Sequence, residues 1–554
     1  MRAGMNKIDL LFKNANVLTL DSHNHRAGSV AVSNGKIVGI WAEGEPPNHE
    51  IQIAQANIVD LQGATLIPGF IDTHNHILMY GELKEQLDCS PTLHKSIKDV
   101  LEAIGMKAKE LSDGEWIKGY GYDDTLIVEK RHLTCEDLDQ VAPHNPVIIS
   151  HISGHVASVN SLALQMSGIR DDVSNPQEGH YGRDEKGRLN GVLYETGALL
   201  PIYNVLPKRS VGDLVQSIRN AAQDYVAQGI TTNTDAAIGG IDDFKAHIQA
   251  AKEGINPMKT QLMIMHNLLN EGEIFGRYSA TQLNREIQEK SGGRAKLDSA
   301  KLFQDGSIQA FTGALREPYY QNPDITGELI HPQESLNKMV LDLHQRGFRI
   351  ATHGNGDRAI GSILEAYSYA VKNGDQRDHR HRIEHVQTAT PDDIAMMKKL
   401  DVAASFFINH VYYWGDRHRE IFLGPERAKR ISPLREAVNA NLLFTLHSDC
   451  PVTPISPLFS VWAAANRLTM EGHVLGPEQC IDVETALKSM TIYGAKLNFD
   501  EAISGSIEIG KNADFAVLEA DPTTVNPVEI KDITILATYI DGRPVYGQGT
   551  IRTS

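Results

Sequence analysis

Residues 68–76 read Pro-Gly-Phe-Ile-Asp-Thr-His-Asn-His (PGFIDTHNH). A short apolar strand leaves a Pro-Gly turn and ends on two histidines spaced two apart. In a strand, residues i and i+2 project from the same face, so His74 and His76 point the same way. Two imidazoles on one face can chelate a single metal at about 2.0–2.1 Å. They can equally be polar residues at a strand exit, each bonded to backbone.

Downstream, seven more segments share this design, apolar at the start and polar at the end. They are GITTNTDA (229–236), TQLMIMHN (260–267), SAKLFQDG (299–306), FRIATHGN (348–355), HRIEHVQ (381–387), DVAASFF (401–407) and LLFTLHSD (442–449). Helix-like stretches separate them, for example 211–228 and 332–347. Eight strand–helix units predict an α/β protein, a (β/α)₈ TIM-like barrel with its site at the C-terminal ends of the strands.

The expected barrel runs over 68–499. Residues 80–210 do not fit the count and carry their own strand, NPVIISHIS (145–153). They read as an insertion after the first strand that serves as a lid or pocket wall. Residues 1–67 and 500–554 are rich in short strands with turn signals at Ser33-Asn34-Gly35 and Gln62-Gly63. The two ends are expected to form one small composite β-sandwich.

The strand ends also hold Lys301, His353, His385 and Asp449. A lysine inside an apolar strand is costly unless it is paired or neutral. Lys301 can pair with Asp305 or Asp235; lowered by burial, its amine can instead add CO₂ to give a carbamate that bridges two metals. His353 and His385 are poised as His76 is, and singly each reads as a satisfied core histidine. Asp449 is a candidate ligand and proton acceptor, or a helix N-cap. Six such residues in one topological order outweigh the separate alternatives. Nitrogen and oxygen donors without thiolate suit zinc, manganese, iron or nickel.

The 554 residues have 41% hydrophobic and 22% charged content and a net charge of -17, which points away from nucleic acid. No segment has the length of a membrane span, and the charged N-terminus lacks the apolar run of a signal peptide. Four scattered cysteines form no CxxC pair, as expected of reduced thiols. The expectation is a cytoplasmic enzyme with a small-molecule substrate, no nucleic-acid or membrane partner, and a homodimeric state.

PGFIDTHNH, KLFQDGS, THGNGDRAI, RIEHVQ, HSDCPVTPISPL and the terminal GSIEIGKNADFA resemble the amidohydrolase superfamily over nearly the whole chain. SGHVASVNSLAL and GVLYET in the insertion resemble its branch of N-substituted formamide deformylases. The resemblance implies two divalent metal ions, zinc by preference, held by His74, His76, His353, His385 and Asp449. It also implies that Lys301 is N6-carboxylated and bridges them. The implied reaction is hydrolysis of an amide or formamide-like C–N bond by metal-bound hydroxide, with Asp449 as the catalytic acid–base. Hydrolysis of an ester, lactone or urea is the alternative, as is a decarboxylase or isomerase on the same scaffold. His155, Asn160, Glu195, Tyr412 and Trp414 are the candidate substrate contacts, with Tyr413 beside them. The segment FFINHVYYWGDRH (406–418) departs from the family pattern in its aromatics and histidines.

Overall fold

The computed structural model describes residues 6–45, 51–52, 56–124, 126–152, 156–176 and 179–547. The chain divides into two compact units, Met1–Leu78 with Ile218–Ser554, and Met79–Ser217.

In the first unit, eight parallel strands lie in chain order around one sheet. They are β1 (Phe70–Asn75), β2 (Ile230–Ile238), β3 (Lys259–Met265), β4 (Ala295–Phe303), β5 (Ile350–Gly354), β6 (Arg382–His385), β7 (Ala403–Phe406) and β8 (Phe444–Leu446). All eight fall within a residue or a few of the segments expected above. Their burial is nearly continuous rather than alternating, as for parallel strands covered on both faces. The Thr73 and Thr445 hydroxyls bond at 2.8 Å between β1 and β8, the pair that closes the barrel. Each later strand is followed by at least one helix, such as Ile241–Lys252, Ala280–Ser291, Gln333–Gln345 and Asp357–Asn373. This is a TIM-like barrel.

Strands from both ends of the chain share a six-stranded sheet. Phe515–Leu518 pairs antiparallel with Thr65–Pro68, and Ile535–Ile540 lies outside it. A four-stranded sheet (Leu10–Lys13, Ser29–Ser33, Lys36–Trp41, Asn57–Asp60) supplies the opposing residues. Phe12 meets Phe515 and Tyr539 edge-on at 5.4 and 5.0 Å in the shared core. The pairing of Pro68 with Phe515 seats the start of β1. Gly69 is needed at this junction, because a Cβ there would sit 2.2 Å from the Thr231 side chain.

The second unit is built on a six-stranded mixed sheet: Leu87–Asp88, Ile117–Tyr122, Val147–His151, Val156–Val159, Leu189–Tyr194 and His180–Arg183, in that order. Ser96 with Asp99, and Thr134 with Asp137, form reciprocal capping boxes on its helices Ile97–Glu110 and Cys135–Asp139.

Candidate metal centre

The carboxyl ends of the barrel strands bring four imidazoles and a carboxylate together. His74 Nε2 and His76 Nε2 each lie 3.2 Å from Asp449 Oδ1. The His385 ring is 5.0 Å from His74, and the His353 ring is 4.5 Å from His385. Asp449 follows β8 with a φ of +54°, so the chain turns as it leaves the strand and the carboxylate faces the histidines.

The proton inventory decides what these contacts mean. His74 Nδ1 is 2.7 Å from Glu384 Oε2, and Glu384 Oε1 accepts from Arg382 Nε at 2.5 Å. A carboxylate held by an arginine only accepts, so His74 places its proton on Nδ1. Its Nε2 then turns a lone pair toward Asp449. Buried Oδ1 of Asp449 accepts no aligned hydrogen bond among the described residues. Two lone-pair atoms facing each other at 3.2 Å repel unless a cation lies between them. Tetrahedral ligands about 2.05 Å from a metal stand about 3.3 Å apart, the spacing observed. The donor set therefore fits a divalent cation.

His353 Nε2 lies 3.1 Å from the Gly306 carbonyl and 3.0 Å from Asn355 Nδ2, the amide that also donates to that carbonyl. Burial, together with the nearby Lys301 charge, pushes the His353 pKa down to about 4, so the ring is neutral and able to ligate. His385 is likewise held well below the usual 6.5, first by burial and then by His353.

Lys301 is 1% exposed, and burial lowers its pKa to about 8. Its Nζ sits 5.0 Å over the Phe303 ring, with no carboxylate within 4 Å among the described residues. Neither alternative partner is engaged with it. Asp305 accepts the backbone N–H groups of Asn355, Gly356 and Ala314 at 2.8–3.0 Å. Asp235 faces His247 at 3.2 Å.

Three contributing residues escaped the sequence reading. Glu384 occupies the inward position of β6, level with His353 on β5 and Ser405 on β7. His385 follows it and would by alternation face outward. A φ of +72° at His385 and +49° at Val386 breaks the alternation and turns the ring to the mouth. Arg382 continues the buried charge ladder to Asp298 at 2.9 Å, and Asp298 pairs with Arg349. His447 stacks on His74 at 4.6 Å. It bridges Ser405 Oγ at 2.9 Å and His385 Nδ1 at 3.2 Å. Asp305 ties the loop after β4 to the loop after β5. The usable signal was RIEH itself, in which two charged residues alternate inside an apolar strand.

The candidate substrate contacts are placed as follows. His155 lies outside the described residues. Asn160 caps helix Ser161–Met166: Oδ1 accepts from Val147 N and Ala163 N, and Nδ2 donates to the Ala142 and Asn145 carbonyls. All four hydrogen-bonding positions of that amide are used, so the structure gives it a packing role and it leaves the substrate set. Glu195 stands at the N-terminus of helix Thr196–Val205 with a φ of +66°. Tyr412 packs edge-on against Tyr413, Phe459 and Trp462 at 5.0–5.5 Å, in an aromatic cluster of the barrel's outer layer. Trp414 lies 5.4 Å from His410 and 6.3 Å from Phe407.

A TIM-like barrel whose strand ends converge histidines and a carboxylate in this way defines a metal-dependent hydrolase. Residues 57–546 match the Amidohydrolase family, and the chain belongs to it. It is 28% identical over 547 residues to the N-substituted formamide deformylase of Arthrobacter pascens, covering 96% of this chain and 97% of that protein. It is 27% identical over 543 residues to the putative amidohydrolase YtcJ of Bacillus subtilis, covering 96% and 98%. A solved metal-dependent hydrolase of Pyrococcus horikoshii, uncharacterized in function, shares the fold with a TM-score of 0.75 at 23% identity, covering 94% of this chain and 99% of that one. No helix among the described residues is long and apolar enough to cross a membrane.

Proposed function

We propose that this chain hydrolyses the C–N bond of a small amide or N-substituted formamide, using two divalent metal ions, zinc by preference. The ligands in this reading are His74, His76, His353, His385 and Asp449, with Lys301 as a bridging carbamate. The observation that carries it is the convergence of His74 Nε2 and His76 Nε2 on one carboxylate oxygen, Asp449 Oδ1, each at 3.2 Å.

Each residue then has a defined task. The lowered pKa of Lys301 leaves a usable fraction of neutral amine near pH 7 to 8. CO₂ adds to that amine with formation of an N–C bond and release of one proton. When bound, the metals supply a polarised substrate carbonyl and a water acidic enough to lose its proton near neutrality. Asp449 turns Oδ1 to the imidazoles, so Oδ2, 3.9 Å from His385 Nδ1, is the oxygen left to take that proton. It returns the proton to the leaving nitrogen, which departs as an amine rather than an amide anion. Glu384 keeps His74 in the ligating tautomer throughout. Trp414 offers an apolar surface to the N-substituent. Similarity to the formamide deformylase supports an N-substituted formamide as the first substrate to try.

The test joins metal analysis to a substrate panel. Two equivalents of metal, loss of turnover on chelation, and activity on N-substituted formamides above the matching esters are the expected results. A protein that purifies metal-free, regains no activity with Zn²⁺ or Mn²⁺, and keeps its Tm on chelation would overturn the reading.

A further inference from the structure

One buried group beside the metal centre has no task in the chemistry above. His410 opens helix His410–Arg417 and is 4% exposed. Its ring lies 4.0 Å from Phe407 and 5.4 Å from Trp414. Phe407 in turn contacts His447 at 5.5 Å and His385 at 5.9 Å, so this aromatic layer backs directly onto the ligand cluster.

His410 differs from a satisfied core histidine. Its Nδ1 is sealed from solvent and has no hydrogen-bond partner among the described residues. Of the two ring nitrogens only Nδ1 is sealed and unpartnered in this way, which leaves Nε2 as the open one. Burial holds the ring neutral, far below the usual 6.5, with His418, Asp449 and His353 as its electrostatic neighbours. A neutral imidazole carries one proton. A sealed N–H without an acceptor is a rarer and costlier state than an idle lone pair. The proton therefore sits on Nε2, and His410 presents an N–H donor on its open side.

The donor is also held rigidly. Asn409 donates from Nδ2 to Thr453 Oγ1 at 2.9 Å and accepts from Ser460 Oγ at 3.1 Å. Thr453 Oγ1 donates to the carbonyl of Ser448, the residue before Asp449. The backbone at His410 is thus tied to the loop that carries Asp449, and the donor keeps its place relative to that carboxylate.

We propose that His410 is a catalytic residue that donates its Nε2–H to the acyl oxygen of the substrate and stabilises the oxyanion formed there. This rests on the reading that a carbonyl carbon is attacked at this site. Preorganised donors aimed at developing negative charge act strongly where water is excluded.

Two amide replacements separate this role from packing. The terminal nitrogen of Gln overlays Nε2 of histidine, and that of Asn overlays Nδ1. In the metal-loaded enzyme, His410→Gln is expected to keep kcat within about fivefold, while His410→Asn and His410→Phe lose about 10²–10³-fold. Metal content, Tm and KM should stay near those of the unchanged protein. Retention of kcat in His410→Phe, or equal losses in the Gln and Asn variants, would overturn the proposal. Formanilide and p-nitrophenyl acetate are assayed in parallel. Turnover of the ester alone would refute C–N hydrolysis but leave the His410 comparison intact on the ester. If neither is turned over, calorimetric titration with methylphosphonate, a stable tetrahedral anion, decides. Binding weakened at least tenfold by Phe and kept by Gln supports the donor; no binding, or equal binding in all variants, overturns it.

Discussion

Replacing Glu384 with Gln tests how far the barrel interior controls the metal site. Glu384 accepts from two buried donors through separate oxygens, His74 Nδ1 at 2.7 Å and Arg382 Nε at 2.5 Å. Gln keeps the shape but has one acceptor oxygen, so one of the two donors must lose its partner. If Arg382 keeps the oxygen, the amide N–H₂ faces His74 and favours the tautomer whose Nε2 carries a proton and cannot ligate. Loss of such a supporting carboxylate typically weakens metal binding about 10–100-fold, or about 1.4–2.7 kcal/mol. The buried Arg382 retains Asp298 at 2.9 Å, so part of its charge stays compensated and the apo-protein should still fold. Competition with a chromophoric zinc chelator measures the affinity, and denaturation of apo and metal-loaded protein separates the two effects. The stability lost by the loaded form should exceed the apo loss by the same 1.4–2.7 kcal/mol or so, through linkage. A variant with a less stable apo form but unchanged zinc affinity would show that Glu384 only supports the barrel, and the tautomer argument would fall.

Three further outcomes follow from the geometry. Asp449→Asn should lower kcat by about 10²–10⁴-fold, the usual range for a proton-transfer group, and near-normal turnover with metal retained would remove Asp449 from that role. His381 is fully buried, accepts from Ile350 N through Nδ1, and shares a proton with His344 Nδ1 at 2.9 Å; burial first, then its histidine neighbours, hold its pKa well below 6.5. Its stabilising contribution is full above pH 6.5 and is lost as pH falls from there toward the folded value, because only the unfolded chain takes the proton. Urea midpoints should therefore drop between pH 7.5 and 5.5, and His381→Asn should flatten that dependence. Asn160→Ala should destabilise the 79–217 unit by about 2–4 kcal/mol, through a lost cap and unpaired backbone groups, with kcat unchanged in protein kept folded at low temperature. A fall in kcat there would return Asn160 to the substrate set.

The sequence by itself determined the barrel and the candidates at its mouth. Eight apolar runs with polar exits are local patterns, and a parallel barrel is the arrangement that buries all of them while collecting their ends. The HxH pair, Lys301, His353, His385 and Asp449 were legible for the same reason, since each is a costly residue at the end of an apolar run. Tertiary structure alone decided which neighbours each of these groups meets. Glu384 touches His74 across 310 residues of chain, and His447 reaches His385 across 62. His385 turns to the mouth through a backbone angle that alternation does not predict. Asn160 has the same composition as a substrate ligand and is consumed by four backbone bonds visible only once the strand and helix around it are placed. Hydrogen-bond satisfaction is a property of neighbours in space, and periodicity along a chain carries no record of it.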